Sequence, residues 1–129
     1  MKDLIRKRLR EEISATEAYD TKGTIDTIID GKRNVGWLGL TKDYELRYIK
    51  DSGLSVIKVV KNPGSYIIFD SSSPGAMENA RELLQISNKY GGYLAFNATK
   101  EDAYRIGQIL GYKEEDIQNY IKGNKDLKK

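Results

Sequence analysis

Three serines, a proline and a glycine follow the run Tyr66-Ile67-Ile68-Phe69-Asp70 and lead into a segment of helical period. At a strand–loop–helix junction the first backbone N–H groups of the helix have no intrahelical acceptor, and a small anion can be held there. Ser71, Ser72, Ser73, Gly75 and Ala76 are the residues that would hold it. The hydroxyls add donors, and a glycine lets the backbone come close. The same residues suit a simpler task, in which Ser73 caps the helix and Ser71 and Ser72 fill the loop. Asp70 is the candidate general base, because it ends an apolar strand and burial would raise its pKa. Alternatively, its carboxylate accepts N–H bonds from the loop behind it.

The inventory restricts other chemistry. The chain has 129 residues with no cysteine and no histidine. That removes disulfides, thiolate nucleophiles, the commonest zinc ligand and the commonest general base at neutral pH, and with them Ser-His-Asp and Cys-His mechanisms. No metal is expected. The composition, 39% hydrophobic and 32% charged, is that of a globular chain. A net charge of +3, from 22 basic and 19 acidic residues, is too small to imply nucleic acid. Nothing resembles a secretion signal or a run of about 20 apolar residues. The expectation is a cytoplasmic protein of a bacterial or virus-infected cell, with a small anionic ligand or a protein as partner and no membrane.

The elements that must position the loop follow from periodicity. Residues 1–14 carry Leu4, Ile5, Leu9 and Ile13 among charges, a narrow apolar stripe on an N-terminal helix. Over residues 24–70 five short apolar segments alternate with turns: TIDTII, NVGWLGL, YELRYIK, LSVIKVV and SYIIFD. They predict a five-strand antiparallel meander. Tyr66 to Phe69 are apolar without alternation, which suits a central strand buried on both faces. Residues 71–122 then predict helix, strand, helix and a further short helix. Ser73-Pro74 starts the first, Tyr90-Gly91-Gly92 ends it, YLAFNA is the strand, Thr99 caps the next and Gly111 stops it. Residues 123–129 form a basic tail. The whole of 1–129 reads as one α+β domain, with YLAFN parallel to YIIFD.

This order resembles the core of the GNAT acyltransferase superfamily. Three segments carry the resemblance: DGKRNVGWLGL, which is similar to the family's second strand; SSPGAMENARELL, in the place of the pyrophosphate loop; and NATKEDAYRIGQILGY, with its closing Leu110-Gly111-Tyr112. It covers about residues 30–112, and short proteins of this kind resemble some encoded by bacteriophages. The resemblance implies acetyl-CoA or another acyl-CoA as cofactor, held at Ser71, Ser72, Ser73, Gly75 and Ala76, with Asn97 near the acyl carrier. Two departures matter. The family loop, Q/R-x-x-G-x-G/A, keeps only Gly75, and the family's tyrosine acid would fall at Gly107, with Tyr104 one turn earlier. The resemblance thus implies an acyl-CoA-binding domain with weak or lost N-acyltransferase activity. The alternative is a non-catalytic protein, viral in type, that binds a protein or a nucleotide.

Other residues have structural and functional readings side by side. Trp37 lies between Gly36 and Gly39, which mark a bulge, a close approach or simply a core strand. Nine tyrosines, with Arg33, Arg47 and Lys58, would make a stacking surface for bases or an aromatic rim to the core.

Overall fold

In the computed structural model, residues 21–39, 41–94 and 98–123 are described. The expected N-terminal helix at 1–14, Asn97 and nearly all of the basic tail lie outside them. The described elements are α1 (Thr21–Ile29), β1 (Val35–Leu38), α2 (Asp43–Asp51), β2 (Ser55–Lys58), β3 (Tyr66–Phe69), α3 (Ala76–Lys89), α4 (Lys100–Ile109) and α5 (Glu114–Gly123).

The class is α+β, but the five-strand meander is not present. Three strands form one antiparallel sheet in the order β1-β3-β2. The segment TIDTII belongs to α1. Thr24, Ile25, Thr27 and Ile28 are its buried residues, a pattern of period 3.6 that a β-branched composition disguised. YELRYIK belongs to α2. The Lys42 N–H donates to Glu45 Oε1 at 2.9 Å across its first turn, and Ile49 is buried while Tyr44 and Tyr48 face solvent. Among the described residues the expected parallel pair is absent as well. All described pairings are antiparallel, and Tyr93, Leu94 and Ala98, which flank the undescribed residues 95–97, are in no strand.

β3 is the central strand, as its unbroken apolar run predicts. Val35 and Ser55 flank Phe69, and Trp37 and Ile57 flank Ile67. Successive residues point to opposite faces. Ile68 joins Ile25, Ile28, Leu38, Ile49 and Leu54 beneath α1 and α2. Ile67 and Phe69 join Val35, Val59, Ala80, Leu83 and Ile106 beneath α3 and α4. The sheet is thus covered by helices on both faces, with α5 packed outside against α4. Gly36 allows α1 to lie close, since a Cβ there would stand 2.8 Å from Thr24 Cγ2.

The helices from residue 76 onward follow their period. Ala76, Ala80, Leu83 and Ser87 line the buried side of α3, and Ala103, Ile106 and Ile109 that of α4. Thr99 caps α4, its hydroxyl accepting from the Asp102 N–H at 3.1 Å. The cap of α3 differs from expectation. Gly75 holds that position at φ +79°, and Ser73 lies buried in the preceding turn.

Candidate functional site

The loop singled out by sequence is well ordered by its own hydrogen bonds. Asp70 Oδ1 accepts from the Ser72 N–H at 3.0 Å and from the Ser72 hydroxyl at 2.5 Å. The Ser73 N–H donates to the Asp70 carbonyl and the Ala76 N–H to the Ser73 carbonyl. Three backbone donors of an anion nest and the Ser72 hydroxyl are thereby engaged, and a carboxylate sits beside them. Asp70 takes the second of its two expected roles, as acceptor for the loop behind it. Ser71 and Gly75 are exposed, and a Cβ at Gly75 would meet nothing within 4 Å. The left-handed backbone is what that position requires of glycine. Tyr104 is not brought to the loop. Its hydroxyl donates to Glu114 Oε1 at 2.5 Å, joining α4 to α5, and that bond raises the phenol's pKa.

Two hollows of contrasting character lie elsewhere, around the last turn of α4 and the residues that follow it. A cavity of about 280 Å³ opens between α4 and α5. Leu94, Ala103, Ile106, Gly107, Leu110 and Ile117 make it apolar; Tyr112, Tyr120 and Asp116 supply its polar groups. Asp116 is the acidic group among its described lining residues. Gly107 explains the room. A Cβ there would fall 2.7 Å from Ile117 Cγ1, so only glycine lets α5 pack at this distance. The position where the family resemblance looks for a tyrosine acid is thus a helix–helix contact.

On the other side of the same turn is a polar notch of about 170 Å³, lined by Lys32, Arg33, Asn34, Ser73, Asn79, Gln108, Ile109 and Gly111. Asn34 organises it. Its Nδ2 donates to the Pro74 carbonyl at 3.2 Å, and its Oδ1 accepts from Asn79 Nδ2 at 3.3 Å. Arg33 lies beneath the turn that divides the two hollows. It is 7% exposed. Nε donates to Thr27 Oγ1 and Nη1 to the Leu110 carbonyl, each at 3.0 Å. Gly111, at φ +81°, folds over it so closely that a Cβ would lie 3.0 Å from Arg33 Cβ. Among the described residues no carboxylate lies within ion-pair distance of Arg33. Burial lowers its pKa from the ordinary arginine value, and the adjacent Tyr112 hydroxyl opposes that shift.

The apolar cavity's far wall, at Leu94, hangs from a second anchor. The Tyr90 hydroxyl donates to Asp102 Oδ2 and accepts from the Thr99 N–H at 3.2 Å, which ties the two ends of the 91–98 segment together. Lys89 Nζ lies 3.4 Å from the same carboxylate oxygen. The Tyr90 hydrogen bond, with help from Lys89 and Thr99, lowers the Asp102 pKa from its ordinary value.

Sequence reasoning grouped Arg33 and Tyr120 in a stacking surface, with an aromatic rim to the core as the tyrosines' other reading, and gave no role to Asn34 or Asp116. Among the described residues no cluster of three or more acidic side chains could hold a metal ion, and no helix is long and apolar enough to cross a membrane.

No family model and no curated protein matches the sequence. A solved structure does match the fold. This chain is similar to the bacterial cysteine methyltransferase effector NleE, with a TM-score of 0.64 and 21% sequence identity, over 95% of this chain and 75% of that one. The likeness shows a shared fold.

Proposed function

We propose that this chain is an effector-type methyltransferase domain that carries a methyl group to a cysteine thiolate of a protein partner. The observation behind the reading is the α4–α5 cavity, set in a fold shared over 95% of the chain with a cysteine methyltransferase effector. The residue inventory agrees. Transfer from a sulfonium donor to a thiolate forms one C–S bond and breaks another, and the departing thioether leaves neutral without needing a proton. Neither histidine nor a protein nucleophile is required, and the chain has neither histidine nor cysteine. The acceptor thiol, with an ordinary pKa of about 8.5, must come from another molecule.

The lining residues fit such a donor. Leu94, Ile106, Leu110 and Ile117 would exclude water and take its apolar parts, while Asp116 places negative charge where a sulfonium would sit. Tyr112 and Tyr120 offer hydroxyls to fix its orientation. The protein's task is to hold the methyl carbon in line with the incoming sulfur, an effect of position more than of proton transfer.

Calorimetric titration of the full chain with S-adenosylmethionine tests this. Saturable binding that Asp116→Asn weakens is expected. Absence of saturable heat at millimolar donor, or saturable binding of acetyl-CoA in its place, would overturn the reading and favour the acyl carrier instead.

A further inference from the structure

We propose that α5 is a lid on the α4–α5 cavity, pivoting at its first turn and swinging at its far end to admit a ligand. That the ligand is S-adenosylmethionine rests on the reading above; the lid does not. α5 is lightly held. Ile117 is the one buried residue of its ten, and partly buried Ile121 packs against the Ala98–Ala103 cluster near its far end. α4, of equal length, buries four. Elements that bury few apolar side chains open at lower free energy than the rest of a fold. The interface beneath α5 is also incomplete. The cavity of about 280 Å³ lies inside it, between Ile106, Gly107 and Leu110 on one side and Ile117 and Tyr120 on the other. Apolar side chains that face a void lack the contacts of a packed neighbour. A ligand that fills the void supplies those contacts, so occupancy and closure of the lid are linked.

The two ends of α5 differ. At its start the chain is pinned. The Tyr112 N–H donates to the Gly107 carbonyl at 3.0 Å, the Ile117 N–H to the Lys113 carbonyl at 3.0 Å, and the Tyr104 hydroxyl to Glu114 Oε1 at 2.5 Å. Lys113 is exposed and in no element, and torsions at a few such residues are enough for a hinge. Glu114 lies beside the pivot and moves little in a swing, so its bond to Tyr104 survives opening. At the far end Ile121 is the anchor. Tyr104, Glu114 and Ile121 all lie outside the cavity lining, so they can be altered without touching a ligand beneath. An opened α5 is a ten-residue helix without a neighbour, and a helix of that length is marginal in water. Opening is therefore read as amide exchange along the helix.

The test is hydrogen exchange of the full chain, followed by nuclear magnetic resonance. The amides from Ile117 to Ile121 should share one protection factor, at least about tenfold below that of Ile106 to Leu110 in α4. Protection that falls smoothly toward Gly123 marks end fraying, and protection equal to that of α4 marks a fixed helix; either result overturns the lid. Ile121→Ala should speed α5 exchange by about tenfold or more and leave α4 unchanged. Tyr104→Phe should stay within about twofold, because a bond kept in both states shifts no equilibrium between them. An effect as large as that of Ile121→Ala would overturn the pivot. S-adenosylmethionine at about ten times its calorimetric Kd should slow α5 exchange by about tenfold; binding without that slowing overturns the lid. Failure of the donor to bind at all removes the methyl-transfer reading, and the measurements without donor then decide the lid by themselves.

Discussion

The two hollows are separated by a single turn of chain, yet they are chemical opposites. Gly107, Leu110 and Tyr112 face the apolar cavity, while Gln108, Ile109 and Gly111 face the polar notch. The last turn of α4 and the Gly111 turn that follows it do the sorting together, with Gly107 and Leu110 three apart on one side. The six-residue stretch Gly107 to Tyr112 therefore writes two surfaces at once. One side recognises shape and excludes water, with a lone acid. The other presents donors and positive charge, with no acid among its described lining residues. The difference teaches that a short segment can line two chemically different hollows at once.

The largest way to break this contrast is to fill the cavity. Gly107→Val would drive a branched side chain into Ile117, already only 2.7 Å from a bare Cβ. Overpacking of this kind costs about 1–3 kcal/mol. Urea unfolding should show that loss, and S-adenosylmethionine binding should disappear with it.

Removing the post between the hollows is the next test. Arg33→Ala leaves Thr27 Oγ1 and the Leu110 carbonyl without their donor and opens a void, for an expected loss of about 2–3 kcal/mol. Arg33→Met fills the space and removes the buried charge, so it should be clearly more stable than the alanine variant. Denaturation midpoints decide between packing and charge as the larger contribution of this residue.

The smallest effect concerns the cavity's far wall. Asp102 has a lowered pKa, chiefly through Tyr90. A depressed folded-state pKa contributes stability above the unfolded value of about 3.9, and that contribution disappears as pH falls through the folded value. Asp102→Asn should therefore cost about 1 kcal/mol at neutral pH. The gap between the two proteins should close as the pH drops below about 4. A constant gap across that range would show that the carboxylate charge is not what holds the wall.

How much of this was legible in the sequence depended on range. The helices at 76–89 and 100–109 could be read because their period is local, and Thr99, Ala103, Ile106 and Gly111 each announce themselves within a few residues; the strand expected between them at YLAFNA was not borne out. Residues 24–29 and 44–50 were misread as strands because Thr, Ile and Tyr are good strand formers. The face they bury is set instead by the sheet beneath them. For the Ser/Gly loop the sequence offered two uses of its donors, a ligand or Asp70, and the Asp70 carboxylate takes the Ser72 N–H and hydroxyl. Arg33 could not be found by local reasoning at all. Its carbonyl partner is 77 residues away at Leu110, and only the closed fold brings the two together.

One contact at the other end of α3 has consequences for how the chain can vary. Gly92 lies so close to the turn between β2 and β3 that a Cβ would stand 2.7 Å from Asn62 Cβ and 2.9 Å from the Asn62 nitrogen. Asn62 Nδ2 donates to the Gly92 carbonyl, and Lys61 Nζ reaches the Asn88 carbonyl. A hairpin turn is ordinarily where a protein accepts insertions. This one is wedged against the segment that carries the cavity wall, so its length is fixed by a neighbour distant in sequence. The turn around Gly53, where a Cβ would meet nothing within 4 Å, is under no such restriction. A tag, a label or a grafted peptide belongs there, and natural length variation should fall there too.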